Sequence, residues 1–303
     1  MASLKEIKGR IASVGSTLKI TSAMKMVASA KLHKAQQAIG NMLPYQKHLH
    51  RILVDLMSKV EYGGGLMASR PVTKVAVVAF SSNSSLCGAF NSNVIKQALA
   101  VVNEYRSSGL KDSDITVYSV GRKLADALRK AGFPSPADYS KMAESPSYEA
   151  ASSLAQELLD GFLGGRFDKV ELVYNHFKST ASQVVTRQTY LPLTLSEATS
   201  ELSVKRPEVF EEEIPHPRNP EDLLIEPSVD ELIEDLLPRV VRLRVYTTLL
   251  DSNAAEHAAR TVAMQTATDN GNDLLAELTL EYNKGRQQKI TSEILDIVGG
   301  SLQ

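Results

Sequence analysis

The sequence predicts an α/β fold: a long antiparallel coiled coil of N- and C-terminal helices plus a central Rossmann-like α/β domain. Three observations lead there. An apolar heptad runs through the first 60 positions, strand-like runs alternate with helical patterns from Val72 to Leu191, and helical periodicity returns after residue 228. The boundaries read this way are 1–60 for the N-terminal shaft helix, 71–192 for the α/β domain, 193–227 for an acidic loop or insertion, and 228–303 for the C-terminal shaft helix.

Leu4, Ile7, Ile11, Val14 and Leu18 stand three and four apart, the spacing that lets one helix supercoil around another. The same register continues through Thr21, Lys25, Ala28, Leu32, Ala35, Ile39, Met42, Gln46, Leu49, Leu53, Leu56 and Val60, with polar breaks at Thr21, Lys25 and Gln46. A helix of about 55 residues would be roughly 80 Å long, too long for a compact domain to contain. It must protrude or line a partner. Pro44 predicts a kink or break near Gly40–Pro44, and the glycines at 63–65 predict a linker over Glu61–Arg70.

Charge is distributed unevenly behind a formal net charge of -1. From Ile7 to Val54 every charged residue is a cation: Lys8, Arg10, Lys19, Lys25, Lys31, Lys34, Lys47 and Arg51. An acid-free basic helix also suits a mitochondrial transit peptide, but the preference for lysine, the presence of Glu6 and the length argue against one. The 193–227 stretch reverses the sign, with Glu211, Glu212 and Glu213 in one run.

In the middle of the chain, "VTKVAVVAF" (72–80), "DITVYSV" (114–120), "KVELVYNHF" (169–177) and "QVVTRQTYL" (183–191) read as strands, the last antiparallel to its predecessor. Helical patterns lie near Val94–Arg106, Lys123–Ala131 and Tyr148–Leu163. In the C-terminal helix, Ala254, Ala255, Ala258, Ala259, Ala263 and Ala267 would let a partner helix approach closely, and Pro238 marks a bend. "ATDNG" (267–271) predicts an interruption, because Asp, Asn and Gly are poor helix residues. In "YNKGRQQ" (282–288), Arg286 could fork onto a partner carboxylate.

Several chemistries lack their motifs. The loop "SSNSSLCGAFNSN" (81–93) sits where a doubly wound fold would cradle phosphate, yet it has only Gly88 in place of a G-x-G-x-x-G fingerprint. No phosphate loop and no H-E-x-x-H occurs, so no catalytic residue, cofactor or metal ligand is assigned. The single cysteine, Cys87, excludes an internal disulfide and reads as a small buried hydrophobe. The longest apolar runs, such as "VAVVAF" (75–80), fall far short of the roughly 18–20 residues a membrane span needs.

Three stretches together carry a resemblance to a known family. They are "LKEIKGRIASVGSTLKITSAMKMVASAK" at the start, "SLCGAFN" after the first strand, and "VAMQTATDN" with "LTLEYNKGRQQKITSEILDIVGG" at the end. The chain resembles, over its whole length, the gamma subunit of F-type ATP synthases. The resemblance implies a non-catalytic central rotor whose two-helix shaft turns inside a ring of alternating alpha and beta subunits. Its α/β domain would sit against the epsilon subunit and the membrane-embedded ring of c subunits, so that proton-driven rotation is coupled to ATP synthesis or hydrolysis.

By the same resemblance, Arg286 and Gln287 match positions that hydrogen-bond a loop of the catalytic subunit, and Met24 and Lys25 match the position where the shaft passes that subunit's acidic lever loop. Thr268, Asp269 and Asn270 match a family segment without an assigned partner. The chain departs from the family at Ser84 and Ser85, where a basic residue and a glycine usually precede L-C-G. The chloroplast form carries a two-cysteine regulatory insertion, whereas 197–227 has no cysteine, so thiol switching is not expected. The implied location is the cytoplasmic face of a bacterial inner membrane, peripherally bound. Two other classes compete: a nucleotide-binding α/β enzyme, disfavoured by the missing glycine fingerprint, and a basic helix binding nucleic acid or membrane, disfavoured by the heptad seam.

Overall fold

The computed structural model describes residues 3–57, 65–193, 225–226 and 228–300. The acidic stretch, apart from Leu193, Ile225 and Glu226, and the linker before Gly65 lie outside the described residues. The elements run α1 (Leu4–Met57), β1 (Val75–Phe80), α2 (Phe90–Ser107), β2 (Ile115–Val120), α3 (Arg122–Lys130), α4 (Ser140–Glu144), α5 (Tyr148–Leu163), β3 (Lys169–Ser179), β4 (Ser182–Leu191) and α6 (Val229–Gly300).

The sheet has the order β2-β1-β3-β4, with β1 parallel to both neighbours and β4 antiparallel to β3. Alternation along each strand feeds two cores. In β1, Val75, Val77 and Ala79 pack on Val94, Ala98, Val101 and Val102 of α2 and Leu124 and Leu128 of α3. Ala76, Val78 and Phe80 face the other way, toward α5 and the feet of both long helices. The sheet is therefore covered on both sides, which is why its parallel strands read as unbroken apolar runs.

Of the kink or break expected at Pro44, no break occurs: α1 is one helix of 54 residues, and α6 likewise runs through Pro238 for 72 residues. Proline in a helix interior costs about 3 kcal/mol through the lost hydrogen bond and ring clash. Here the flanking turns are anchored in the core by Leu49, Leu53 and Leu56 on α1 and by Ile233, Leu236, Leu237 and Val241 on α6. Full burial of each such side chain contributes about 1.5–3 kcal/mol, so tertiary packing outweighs the local penalty.

The expected interruption at "ATDNG" is absent too, and Gly271 has a packing role. A Cβ at Gly271 would lie 2.6 Å from Leu18 Cδ2, so the missing side chain makes room for a leucine of α1. Gly285 gives the same room to Leu4, where a Cβ would meet Cδ2 at 3.1 Å. From Leu4 to Leu18 on α1 and from Gly285 to Gly271 on α6 the steps are equal and opposite, which fixes an antiparallel pair in constant register. Ile7, Thr21, Ala28, Leu32 and Ala35 of the sequence-read seam are buried in that interface, and the remaining seam positions down to Leu18 are half-buried.

Candidate functional site

Two polar breaks in the seam find polar partners across the shaft. Thr21 Oγ1 lies 2.9 Å from Thr268 Oγ1, and Thr268 Oγ1 also donates to Met264 O at 2.8 Å. Lys25 Nζ donates to Gln265 Oε1, whose amide Nε2 in turn donates to Asp269 Oδ1 and Oδ2 at 2.7 and 2.9 Å. A polar layer at seam positions favours one register over its neighbours, because a slipped helix would leave these groups facing apolar side chains. Lys25 is thus tethered within the shaft and half-exposed, with Met24 half-exposed beside it.

The structure brings Met24, Lys25, Thr268 and Asp269 to one level of the shaft, with Asn270 exposed on the same turn. Arg286 and Gln287 sit about 25 Å farther along α6, at 1.5 Å per residue. Both are fully on the surface, just past Gly285, where α1 begins. Beyond that point, among the described residues, α1 no longer accompanies α6, which exposes Ile290, Ile294, Leu295 and Ile297. Single apolar surface residues are ordinary, and several along one helix end make it a candidate binding surface.

Below the polar layer the shaft meets the α/β domain at a collar that sequence reading did not find. In doubly wound sheets, ligands bind beyond the carboxyl ends of the strands where strand order reverses, here between β1 and β3. α6 crosses that end of the sheet. Arg260, only 8% exposed, donates to Ser85 O at 2.5 Å, to Ser84 Oγ at 2.9 Å and to Glu256 Oε1 at 2.7 Å. Ser84, by its hydroxyl, and Ser85, by its backbone carbonyl, are therefore the acceptors for a shaft arginine.

At the β1 and β2 ends, between Phe80, Ser81, Val120 and Ala143 on the sheet side and Leu249, Ser252, Asn253 and Glu256 on the helix side, the space left is about 10 Å³, too small for any nucleotide, while beside β3 a second opening of about 210 Å³ lies between Cys87, Phe90 and Asn175 and Ala259, Val262 and Ala263 of α6. Gly121 closes the floor: its φ is +107°, and a Cβ there would stand 2.3 Å from Ser81 O.

Electrostatics match a structural collar. Burial raises the Glu256 pKa, against the opposing pull of Arg260. Burial, with Lys31 and Arg260 nearby, pushes His257 down to about 4, so it is neutral at physiological pH. Cys87 is 1% exposed, and burial raises its thiol above the ordinary range. It packs with Phe90, Ala255 and Ala259 and accepts from Asn91 Nδ2 at 3.2 Å. The signal available in the sequence was the i, i+4 pair Glu256 and Arg260, set inside the alanine stripe where charge has no place unless it is paired. Among the described residues, no cluster of His, Cys, Asp or Glu could hold a metal, and no helix is long and apolar enough to cross a membrane.

A two-helix antiparallel shaft anchored at the strand ends of a compact α/β domain has the architecture of a stalk protein. The comparisons narrow that class. A family model described as ATP synthase matches residues 3–302. ATP synthase gamma chains of Phocaeicola vulgatus and Bacteroides fragilis are each 54% identical over 100% of both chains, and that of Flavobacterium johnsoniae is 41% identical over 99% of this chain and 98% of its own.

The chain belongs to the ATP synthase gamma-chain family. In fold it matches the rotor of Euglena gracilis mitochondrial ATP synthase in rotational state 1, with a TM-score of 0.59 at 20% identity over 95% of this chain and 98% of that one. A Tetrahymena thermophila central-stalk chain matches with a TM-score of 0.53 at 22% identity, covering 82% of this chain and 99% of that one. It is a non-catalytic central-stalk subunit, and the enzyme and nucleic-acid alternatives are set aside.

Proposed function

We propose that α1 and α6 form the shaft that turns inside a head of alternating alpha and beta subunits. The α/β domain, read as 71–192, grips the epsilon subunit and the ring of c subunits at a bacterial inner membrane's cytoplasmic face. The observation that carries this reading is the overhang of α6 beyond Leu4, whose apolar residues need a sleeve around them. The cations of α1 support it: Lys5, Lys8, Arg10 and Lys19 are all exposed, an electrostatic surface suited to acidic loops.

In this reading the shaft works by presenting unlike faces to equivalent neighbours. One side carries the α1 lysines, another carries Asp269 and Asn270, and the tip carries Arg286 and Gln287. Each orientation stabilises a different conformation of the catalytic subunit it touches, and rotation moves that preference around the ring. Lys25 and Met24 meet the lever loop, while Gln265 keeps the Lys25 ammonium aimed. Thr268, Asp269 and Asn270 face a partner on the adjacent side.

The experiment is co-expression with alpha and beta subunits. The wild-type chain should copurify with several copies of the catalytic ATPase subunit and show no ATPase activity alone. Arg286 is exposed and joins no hydrogen bond or ion pair among the described residues, so Arg286→Ala should leave the chain's stability within about 0.5 kcal/mol. Coupled turnover of the assembled complex should fall roughly tenfold, the scale of a lost charge-assisted hydrogen bond. Unchanged coupling would remove Arg286 from the contact surface.

A further inference from the structure

The stalk function leaves one buried acid of the shaft unused. Asp251, 4% exposed, lies on α6 where the helix crosses β3. Its Oδ2 is 2.7 Å from His176 Nδ1, and its Oδ1 accepts the Phe177 amide at 2.9 Å. Phe177 packs on Leu32 and Ala35 of α1 and Ala254 and Ala258 of α6, so both shaft helices and the sheet meet at this point. Backbone and side chain of one strand are thereby fastened to a single carboxylate on the shaft.

We propose that His176 and Asp251 form a proton-controlled clasp between the α/β domain and the shaft, closed with the imidazole protonated and loosened when it is neutral. A protonated ring donates Nδ1–H to a carboxylate as a charge-assisted hydrogen bond. A neutral ring keeps this bond only through its Nδ1–H tautomer, as a weaker hydrogen bond without the ion pair, while its Nε2–H tautomer turns a lone pair toward the same oxygen. The ring edge is reachable by solvent, with a quarter of the side chain exposed, so proton exchange needs no unfolding.

The surroundings leave Asp251 in control. On β4 the residue opposite His176 is Val184, and α1 offers Leu32, Ala35 and Ile39 to the adjacent Phe177. Arg244, the nearby cation on α6, bears on Tyr174, as does Asp251. On the same strand, Lys178 is exposed. The hydrogen bond to Asp251 raises the His176 pKa above its ordinary 6.5, with burial opposing. A raised histidine pKa gives a contribution that is complete below about 6.5 and disappears as pH climbs through the raised value. The clasp therefore closes on the acid side and opens on the alkaline side.

The test is hydrogen exchange at the Phe177 amide in the full chain, between about pH 6 and about pH 9, corrected for the intrinsic pH dependence of exchange. Wild-type protection should drop severalfold across that range as the imidazole loses its proton. His176→Gln should show a flat, lower protection, and His176→Lys, charged throughout, should hold protection to the alkaline end. Asp251→Asn should abolish the pH dependence, and the glutamine variant decides the matter should that protein not fold. Identical pH profiles for wild type and His176→Gln would overturn the clasp. Because the measurement needs no partner subunit, its outcome is independent of the stalk assignment.

Discussion

Arg260→Ala should destabilise the chain by about 3–5 kcal/mol, the usual cost of removing one member of a buried ion pair. The reason lies in what is left behind. Glu256 is 8% exposed and its side-chain partner is Arg260, while Ser84 Oγ and Ser85 O would lose their donor at the same time. The loss should depend on pH. Burial already raises the Glu256 pKa, and removing the guanidinium raises it further.

A carboxylate with a raised native pKa favours the folded state below its ordinary 4.5 and loses that advantage as pH rises through the native value. The variant should therefore be weakest at neutral pH and recover as pH falls toward 5. Replacing both partners, Arg260→Met with Glu256→Leu, should restore most of the stability, since an apolar pair of similar volume avoids the desolvation cost. Denaturant melts at two pH values check both statements.

Leu53→Ala should cost about 2–5 kcal/mol, as expected for a leucine truncated in a closed core. Leu53 is 0% exposed and sits among Leu49, Leu56 and the α/β-domain residues on the same face of the sheet. The substitution loosens the foot of α1, the segment that keeps the helix continuous past Pro44. Leu280→Ala provides the contrast: at 72% exposure on the far end of α6, it should change chain stability by no more than about 0.5 kcal/mol. A large effect at Leu280 and a small one at Leu53 would place the core elsewhere.

The shaft was legible because coiled-coil burial follows a short period, and each seam position from Leu4 to Leu56 is buried or half-buried in the structure. Strand positions and the antiparallel β4 were likewise readable from β-branched runs. The local-propensity reasoning failed at Pro44 and at "ATDNG", in both cases because a tertiary contact outweighs a local cost. The core grips the turns around Pro44, and Leu18 occupies the space that Gly271 leaves open.

The start of α2 was missed by four residues because its Ala89 cap has no side-chain acceptor, while Asn91 turns its amide to the 81–87 loop. The collar was hard to read for a different reason: Asp251 and Arg260 meet strand and loop partners 74 to 176 positions away, and the i, i+4 pair Glu256 and Arg260 is its one local trace.

The collar gives the loop after β1, where a doubly wound sheet would cradle phosphate, a structural use. That loop wraps a guanidinium, and the helix that crosses this end of the sheet is the shaft itself. The same contacts join the domain to the shaft, so a turn of one turns the other. Rigid coupling at the collar, a register fixed by Thr21, Lys25, Gln265 and Thr268, and an apolar tip are the three properties a torque-bearing rod requires.

The central claim, that this chain turns as a rod within its complex and performs no chemistry, is tested most directly by single-molecule rotation. The alpha and beta head is fixed to a surface, and a bead is attached to the α/β domain through an exposed residue such as Lys130 exchanged for cysteine. With ATP present, the bead should rotate in one direction in threefold steps. ATP hydrolysis at full rate with a stationary bead would contradict the account.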